Sequence, residues 1–124
     1  MIGYVTLGSN DIPRAAQFYD ELLGLLGAKR FMESETLIVW SVHPEQPALG
    51  VIRPYDGKAA TVGNGTMVSL IVDSRAKVDA VHRKALELGG KDEGAPGPRG
   101  SENFYAGYFR DLDGNKLNVF CMSA

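Results

Sequence analysis

The two halves of the chain carry the same order of predicted elements, and this internal repeat constrains the fold more than any other feature. The segment from Tyr4 to Ala28 overlays Met67 to Lys91 without a gap, and the overlay puts Gly27 on Gly90. Each half reads as a strand, a helix and three further strands. Because each copy of the module must bury an apolar sheet face against a helix, the repeat predicts one architecture used twice.

We therefore predict an α+β fold in which two tandem βαβββ modules form a curved mixed sheet around a central cavity. The modules would cover about residues 1–56 and 64–124 of a single domain. The full length of 124 residues is that of one ordinary domain, which is large enough to bury a sizeable core.

Apolar periodicity and capping residues place the predicted helices and strands. The first helix follows a cap within Ser9–Asp11, has Pro13 in its first turn and stops at Gly27. Ser74 caps the second helix, which ends at Gly89-Gly90. The predicted strands are 2–8, 28–33, 36–42, 48–53, 66–73 and the two arms of a hairpin over 104–121.

The stretch YFRDLDGNKLNVF, from Tyr108 to Phe120, is typical of a β-hairpin with a tight turn at Asp113-Gly114. Because side chains alternate along a strand, Asn118 shares one face with Lys116 and Phe120. Before the hairpin, the segment 93–103 contains two prolines and three glycines. We expect this segment to be an irregular, mobile loop that acts as a lid.

Composition excludes several classes of protein. The formal net charge is −2 and the basic residues are scattered, so we expect no nucleic-acid partner. No apolar run approaches the ~20 residues of a membrane span, and the start of the chain lacks the features of a signal peptide. The single cysteine, Cys121, cannot form an internal disulfide. It fits a cytoplasmic protein, and we expect it to be a packed core residue.

Two stretches resemble the vicinal oxygen chelate superfamily, which includes lactoylglutathione lyase, bleomycin-resistance proteins, fosfomycin-resistance enzymes and extradiol dioxygenases. They are YVTLGSNDIPRAAQFYDELLG near the start and YFRDLDGNKLNVF near the end. The second is similar to the aromatic-x-x-Asp-x-Asp-Gly-Asn-x-x-Glu hairpin of that family. The resemblance covers essentially the whole chain. It implies the duplicated fold but no particular reaction.

The resemblance also implies a divalent metal held by His, Gln or Glu on four strands, and this sequence departs from that pattern. The ligand positions fall on Tyr4, near Gly50, and on Met67 and Asn118. Tyrosine would have to lose a proton with a pKa of about 10, methionine sulfur suits copper(I), glycine has no side chain, and the asparagine carbonyl is neutral. We therefore expect no metal cofactor at these positions.

Strand alternation from these positions predicts the lining of the cavity. The candidate ligand-binding residues are Tyr4, Thr6, Gly50, Met67, Ser69, Tyr108, Asn118 and Trp40. Tyr108 is included because fosfomycin-resistance relatives use a tyrosine at the matching place, and Ala106 shares its face. This surface is aromatic, mildly polar and uncharged, which suits a flat or partly apolar small molecule. The alternative is that these aromatic residues belong to an ordinary core.

The remaining polar residues form no catalytic constellation, so the catalytic residues are unassigned. We expect His82 to pack on the apolar face of the second helix, and Arg110 to pair with Asp111 or Asp113 near the turn. Arg53 and Arg99 are either anion contacts at the rim of the cavity or solvated surface residues.

The leading hypothesis is a homodimeric protein of the glyoxalase and bleomycin-resistance type that binds a small, partly apolar molecule without the usual metal. A second hypothesis is a lyase, isomerase, dioxygenase-type or glutathione-conjugate-processing enzyme. Such an enzyme would use a metal bound through residues such as His43 or Glu45, or Tyr4 and Tyr108 as acid and base. A third hypothesis is an interaction protein with an empty cavity.

Overall fold

The computed structural model describes residues 1–122, which form two compact units, Met1–Val62 and the part of the chain from Gly63 onward. The elements of the first unit are β1 (Tyr4–Gly8), α1 (Ile12–Gly24), β2 (Lys29–Glu33), β3 (Leu37–Ser41) and β4 (Ala48–Ile52). Those of the second are β5 (Val68–Ile71), α2 (Arg75–Glu87), β6 (Lys91–Arg99), β7 (Ser101–Arg110) and β8 (Lys116–Met122). Each unit has the βαβββ order that the repeat predicts.

Each unit contains one four-stranded mixed sheet, and the two sheets have the same connectivity. The strand order is β1-β4-β3-β2 in the first unit and β5-β8-β7-β6 in the second. The first strand of each unit pairs in parallel with the last, and the other neighbours are antiparallel. The α+β class and the tandem modules are therefore confirmed, with the predicted mixed sheet present as two four-stranded sheets.

Both helices begin at the caps that the sequence predicts. The Asp11 carboxylate accepts a hydrogen bond from the Arg14 backbone N–H, and the Ser74 hydroxyl accepts one from the Lys77 N–H, each at 3.1 Å. These bonds satisfy backbone donors that the first turn of a helix leaves unpaired. Among the described residues, no helix is long and apolar enough to cross a bilayer.

Both helices also end in the same way. Gly27 (φ 84°) and Gly89 (φ 101°) take the left-handed position after α1 and α2. The residue after each glycine donates its N–H back to a carbonyl of the last turn, at 3.0 and 2.8 Å respectively. This hydrogen-bond pattern is that of a Schellman ending. The structural equivalent of Gly27 is therefore Gly89 rather than Gly90, so the ungapped overlay fails by one residue after the helix.

Helix α1 covers one face of the first sheet, and Trp40 belongs to that face. The Trp40 ring lies 5.6 Å from the Tyr19 ring of α1, and its Nε1 donates a 2.8 Å hydrogen bond to Asp20. Arg30 holds the same carboxylate through two hydrogen bonds, which lowers the pKa of Asp20. Trp40 was proposed as a ligand-binding residue, with core packing as the alternative, and the structure places it in the core beneath α1. Val39 pairs with Gly50 and therefore shares its face of the sheet. Trp40 is the next residue along β3, so its side chain points to the opposite face.

Helix α2 covers one face of the second sheet. Its buried residues are Val78, Val81, His82 and Ala85, and the sheet contributes buried side chains that include Phe109, Leu117 and Val119. The expected packing of His82 is confirmed, since it is 5% exposed with its ring 6.4 Å from that of Phe109. Cys121 is buried as expected.

The segment 93–103 is not an irregular loop. Most of it belongs to β6 and β7, which pair through a ladder that shifts register three times. The prolines fit because β6 is the edge strand of its sheet, where a missing N–H is tolerated. Gly100, at φ 73°, forms the reversal between the two strands. The proposed lid is therefore a hairpin with irregular pairing.

The turn of the β7–β8 hairpin is longer than the tight turn that Asp113-Gly114 predicts. Five residues, 111–115, separate the strands. Arg110 lies beside this turn, donating one hydrogen bond to the Gly114 carbonyl at 3.0 Å and another to the Glu93 carboxylate at 2.7 Å. Its acidic partner on the neighbouring strand β6 is Glu93, which the sequence prediction did not consider.

Candidate functional site

The second sheet has a face opposite α2, which we call the distal face. Tyr105, Gly107 and Phe109 of β7 point toward α2, because Tyr105 bonds to Asp79 of that helix and His82 lies against Gly107. The alternate residues of β7 and their partners on β8 and β5 therefore point the other way. The distal face carries Ser69, Ile71, Ala106, Tyr108, Lys116, Asn118 and Phe120.

Three predicted site residues form one row across the distal face. Ser69 pairs with Asn118, and Asn118 pairs with Tyr108, so β5, β8 and β7 each contribute one side chain. The Ser69 hydroxyl donates a 2.5 Å hydrogen bond to Oδ1 of Asn118, which is 1% exposed. We call these residues the distal row. The structure thus brings together Ser69, which strand alternation proposed, with Tyr108 and Asn118, which the family resemblance proposed.

The bond from Ser69 fixes the orientation of the Asn118 amide. With Oδ1 accepting from Ser69, the two N–H groups of Nδ2 are the remaining donors. Nδ2 makes no hydrogen bond with any residue in the described part of the chain. A buried amide gains free energy when its donors find an acceptor. The distal row therefore presents a fixed donor to a molecule on this face.

Two cations lie against the Tyr108 ring. The Arg99 guanidinium carbon is 5.6 Å from the ring centroid and the Lys116 Nζ is 5.5 Å from it. Arg99 is held there by hydrogen bonds to the Ala95 and Pro98 carbonyls of its own strand. Such contacts are attractive because the face of an aromatic ring is electron-rich. The predicted uncharged surface is therefore wrong, since this part of the distal face is positively charged.

The other side of Tyr108 is supported by a buried histidine. His82 Nε2 lies 3.2 Å from the Tyr108 carbonyl and 3.1 Å from the Asp92 carboxylate. The Gly94 N–H bond and the His82 contact lower the pKa of Asp92. Gly107 leaves room for this arrangement, because a Cβ there would lie 3.1 Å from both the His82 ring and Pro96. The backbone that carries Tyr108 is thus packed from behind.

The first sheet holds three other predicted site residues on its own face opposite α1. Tyr4 and Thr6 alternate with the α1-facing Leu7, and Thr6 pairs with Gly50. Tyr4 is 66% exposed. A Cβ at Gly50 would lie 3.1 Å from the Val39 side chain and from the Ile38 carbonyl, so only glycine fits there without a shift. Met67 directly precedes β5 and is 39% exposed.

The four positions at which the resemblance implies metal ligands do not fit a divalent ion. Tyr4 offers a phenol, Gly50 has no side chain, and Met67 offers a thioether. Asn118 offers an amide whose oxygen already accepts a hydrogen bond from Ser69. None carries a negative charge to offset the cost of stripping water from the ion. His43 and Glu45, the other proposed ligands, lie in an exposed loop where His43 Nδ1 accepts the Glu45 N–H. Within residues 1–122 no three His, Cys, Asp or Glu side chains cluster as a metal site would require.

The repeated order of one helix and one four-stranded mixed sheet, with polar residues on the face opposite the helix, defines a tandem βαβββ protein of the glyoxalase type. The chain belongs to the Glyoxalase/Bleomycin resistance protein/Dioxygenase superfamily, whose sequence profile matches residues 1–119. A search of curated proteins finds no match to the chain.

Solved structures share this fold over nearly the full length. A glyoxalase/bleomycin resistance protein from Albidiferax ferrireducens T118 is 32% identical, with a TM-score of 0.88 and 98% of each chain covered. Protein SA1046 from S. aureus is 26% identical, with a TM-score of 0.74 over 98% of this chain and 92% of that one. The fosfomycin resistance protein FosX from Mesorhizobium loti is 16% identical, with a TM-score of 0.68 over 98% and 90%, and shows the fold alone.

Sequence reasoning placed Lys116 on the face of Asn118 and offered Arg99 as an anion contact at the rim, but it did not bring either cation against Tyr108. The Lys116 contact could have been found, because Lys116 lies two residues before Asn118 and therefore on the same face of β8. Arg99 gave no such signal. Its position depends on β6 running beside β7, and the glycines and prolines of that segment predicted a loop instead.

Proposed function

We propose that the chain binds a small, partly apolar molecule at the distal face of the second sheet, without the divalent metal that the family resemblance implies. The observation that carries this proposal is the distal row, in which a buried amide held by Ser69 lies next to an aromatic ring. Binding sites of this kind combine apolar surface with a few fixed polar groups. The fold by itself implies no particular reaction, so the proposal depends on the residues of the distal row.

The positive charges beside Tyr108 indicate which chemical groups the ligand should carry. Arg99 and Lys116 favour a molecule with an acidic or electron-rich group at that end of the row. The Asn118 amide N–H groups favour a carbonyl, ether or carboxylate oxygen as their acceptor. Phe120 and Ala106 on the same face offer apolar contact. A flat aromatic carboxylate has all of these features and is therefore the probe of choice.

Replacing Asn118 by leucine is expected to weaken binding of 2-naphthoate by about fivefold or more, because the buried oxygen acceptor of the probe then loses its donor. A lost hydrogen bond of this kind costs about 1–3 kcal/mol, and about 1.4 kcal/mol corresponds to a factor of ten. Titration followed by amide NMR shifts gives the dissociation constant and shows which residues respond. The shifts are expected on β5, β7 and β8.

Asn103→Leu is the matched control, since Asn103 is an exposed residue of β7 that points to the other side of the strand. The uncharged 2-naphthamide is expected to bind the same residues more weakly, because Arg99 and Lys116 then have no anion to contact. Addition of EDTA is expected to leave binding unchanged. Binding that EDTA abolishes would favour the metal enzyme, and no saturable shift with either probe would favour the interaction protein.

We also propose that the protein is a homodimer. Its strands expose large apolar side chains, among them Tyr4, Met32, Ile71 and Met122, each more than half exposed. Exposed apolar groups of this size often mark a surface that pairs with another protein. Light scattering after gel filtration is expected to give twice the chain mass of 13.4 kDa. A mass equal to one chain at micromolar concentration would contradict the proposal.

A further inference from the structure

A second candidate binding site lies in the first unit, which contributes no residue to the distal row. It is a cavity of about 220 Å³ where the end of β1 meets the chain that follows β4. Ser9, Asn10, Arg53, Gly57 and Lys58 contribute to its lining. We call it the 53–58 pocket. A cavity needs only about 10–15 Å³ to hold one water, so the pocket has room for a small polyatomic ion.

Hydrogen bonds fix the walls of the 53–58 pocket. The Asn10 side chain accepts from the Ala60 N–H at 2.7 Å and donates to the Ala60 carbonyl at 3.4 Å. This pair joins the segment after β4 to the start of the first helix. Gly57, at φ 74°, closes a turn by donating to the Pro54 carbonyl at 3.0 Å. The pocket is therefore part of the folded unit before any ligand arrives.

The pocket carries two cations that lack acidic partners. The side chains of Arg53 and Lys58 form no hydrogen bond or ion pair with the described residues. Among the described residues that line the pocket, none is acidic. Asp56 accepts from the Lys58 backbone N–H at 2.9 Å, and Asp11 accepts from the Arg14 N–H. The described lining of the pocket thus carries two positive charges and no negative one, on a chain whose formal net charge is −2.

Ser9 adds a buried donor to this pocket. Ser9 is 1% exposed, and its Oγ accepts a hydrogen bond from the Asp11 N–H at 3.1 Å. The hydrogen of that hydroxyl has no acceptor among residues 1–122. A buried hydroxyl hydrogen without an acceptor costs free energy unless a bound group accepts it. Ser9 therefore indicates a ligand that supplies an oxygen with lone pairs.

From these observations we propose that the 53–58 pocket binds a small oxyanion, a phosphate or carboxylate group, through Arg53, Lys58 and the Ser9 hydroxyl. Arg53 offers the planar donor pair that suits such oxygens, and Lys58 adds a point charge. The ligand would be distinct from the molecule proposed for the distal row. This site requires neither the distal row nor a metal, so it goes beyond the proposed function and can be tested separately from it.

The test is an NMR titration of the full chain with inorganic phosphate and, in a separate sample, with acetate, at an ionic strength held constant with sodium chloride. Saturable shifts are expected at the amides of Ser9, Asn10, Gly57 and Lys58. Arg53→Ala is expected to weaken the binding at least fivefold. Arg83→Ala, which removes an exposed arginine of α2, is the matched control and is expected to bind as the parent chain does.

Each outcome decides the proposal. Saturation by phosphate alone supports a phosphate ligand, and saturation by acetate alone supports a carboxylate, provided that Arg53→Ala weakens it. If Arg53→Ala does not fold, the same titration is carried out with Lys58→Ala, which is expected to weaken the binding, and with Lys77→Ala as its control. Shifts that do not saturate, that are equal in parent and Arg53→Ala, or that spread over basic residues of both units would overturn the site. None of these results depends on naphthoate binding at the distal row.

Discussion

Replacing Trp40 by alanine is expected to lower the free energy of unfolding by about 3–5 kcal/mol, which is the range for truncating a large aromatic side chain in a core. Trp40 is 2% exposed and lies against Tyr19, so the substitution leaves a cavity between α1 and the first sheet. It also removes the donor that bonds to Asp20 at 2.8 Å. Urea unfolding followed by circular dichroism measures the loss.

Trp40→Phe is the control that separates packing from hydrogen bonding. It retains an aromatic ring but cannot donate to Asp20, whose carboxylate keeps its two bonds from Arg30. We expect this variant to lose about 1–2 kcal/mol, less than half of the effect of alanine. Equal losses in the two variants would show that the ring contributes little. An unchanged urea midpoint for Trp40→Ala would mean that Trp40 is not a core residue at all.

Replacing Asp111 by alanine is expected to cost about 2–4 kcal/mol, because its carboxylate is the centre of the β7–β8 turn. Asp111 is 5% exposed. Its Oδ1 accepts from the backbone N–H groups of Asp113 and Asn115, both at 2.9 Å, and its Oδ2 accepts from the Asn115 side chain at 3.0 Å. Each donor left without a partner in a buried place carries a penalty of about 1–3 kcal/mol, and water reaches some of them.

Asp111→Asn keeps one oxygen for the two backbone donors and is expected to lose only about 1 kcal/mol. Its amide N–H₂ would meet the Asn115 amide, which can turn to offer its oxygen. Thermal unfolding of both variants at one pH provides the comparison. Equal stability of Asp111→Ala and the parent chain would show that the turn does not depend on this carboxylate.

The fold could be predicted because its signals are local and repeated. The caps at Asp11 and Ser74, the apolar faces of the helices and the left-handed glycines after them all act within a few residues of sequence. The repeat then predicted the order of the elements along the chain, while the order of the strands within each sheet was not predicted. The overlay put Gly27 on Gly90, whereas its structural equivalent is Gly89. The overlay could not predict this offset of one residue, because a helix ending tolerates small changes in length.

The site could be predicted only in part, because it depends on pairings between distant strands. Alternation correctly placed Asn118 on the face of Lys116 and Phe120, because that relation is a property of one strand alone, whereas Tyr108 was proposed from the family resemblance. Trp40 failed because the prediction did not include the phase of β3 relative to β4. The contact between Arg99 and Tyr108 was not predicted, because the glycines and prolines around Arg99 were taken to indicate a loop. On an edge strand those residues are compatible with pairing on one side.

Strand β6 also limits how this protein can associate with other chains. Pro96 and Pro98 have no backbone N–H, and the pairing of β6 with β7 shifts register three times. An unpaired strand edge normally invites a further strand to add to it, and this edge is poorly suited to accept one. We infer that any second copy meets the protein through side chains or through a different edge, and that open-ended growth of the second sheet past β6 is disfavoured.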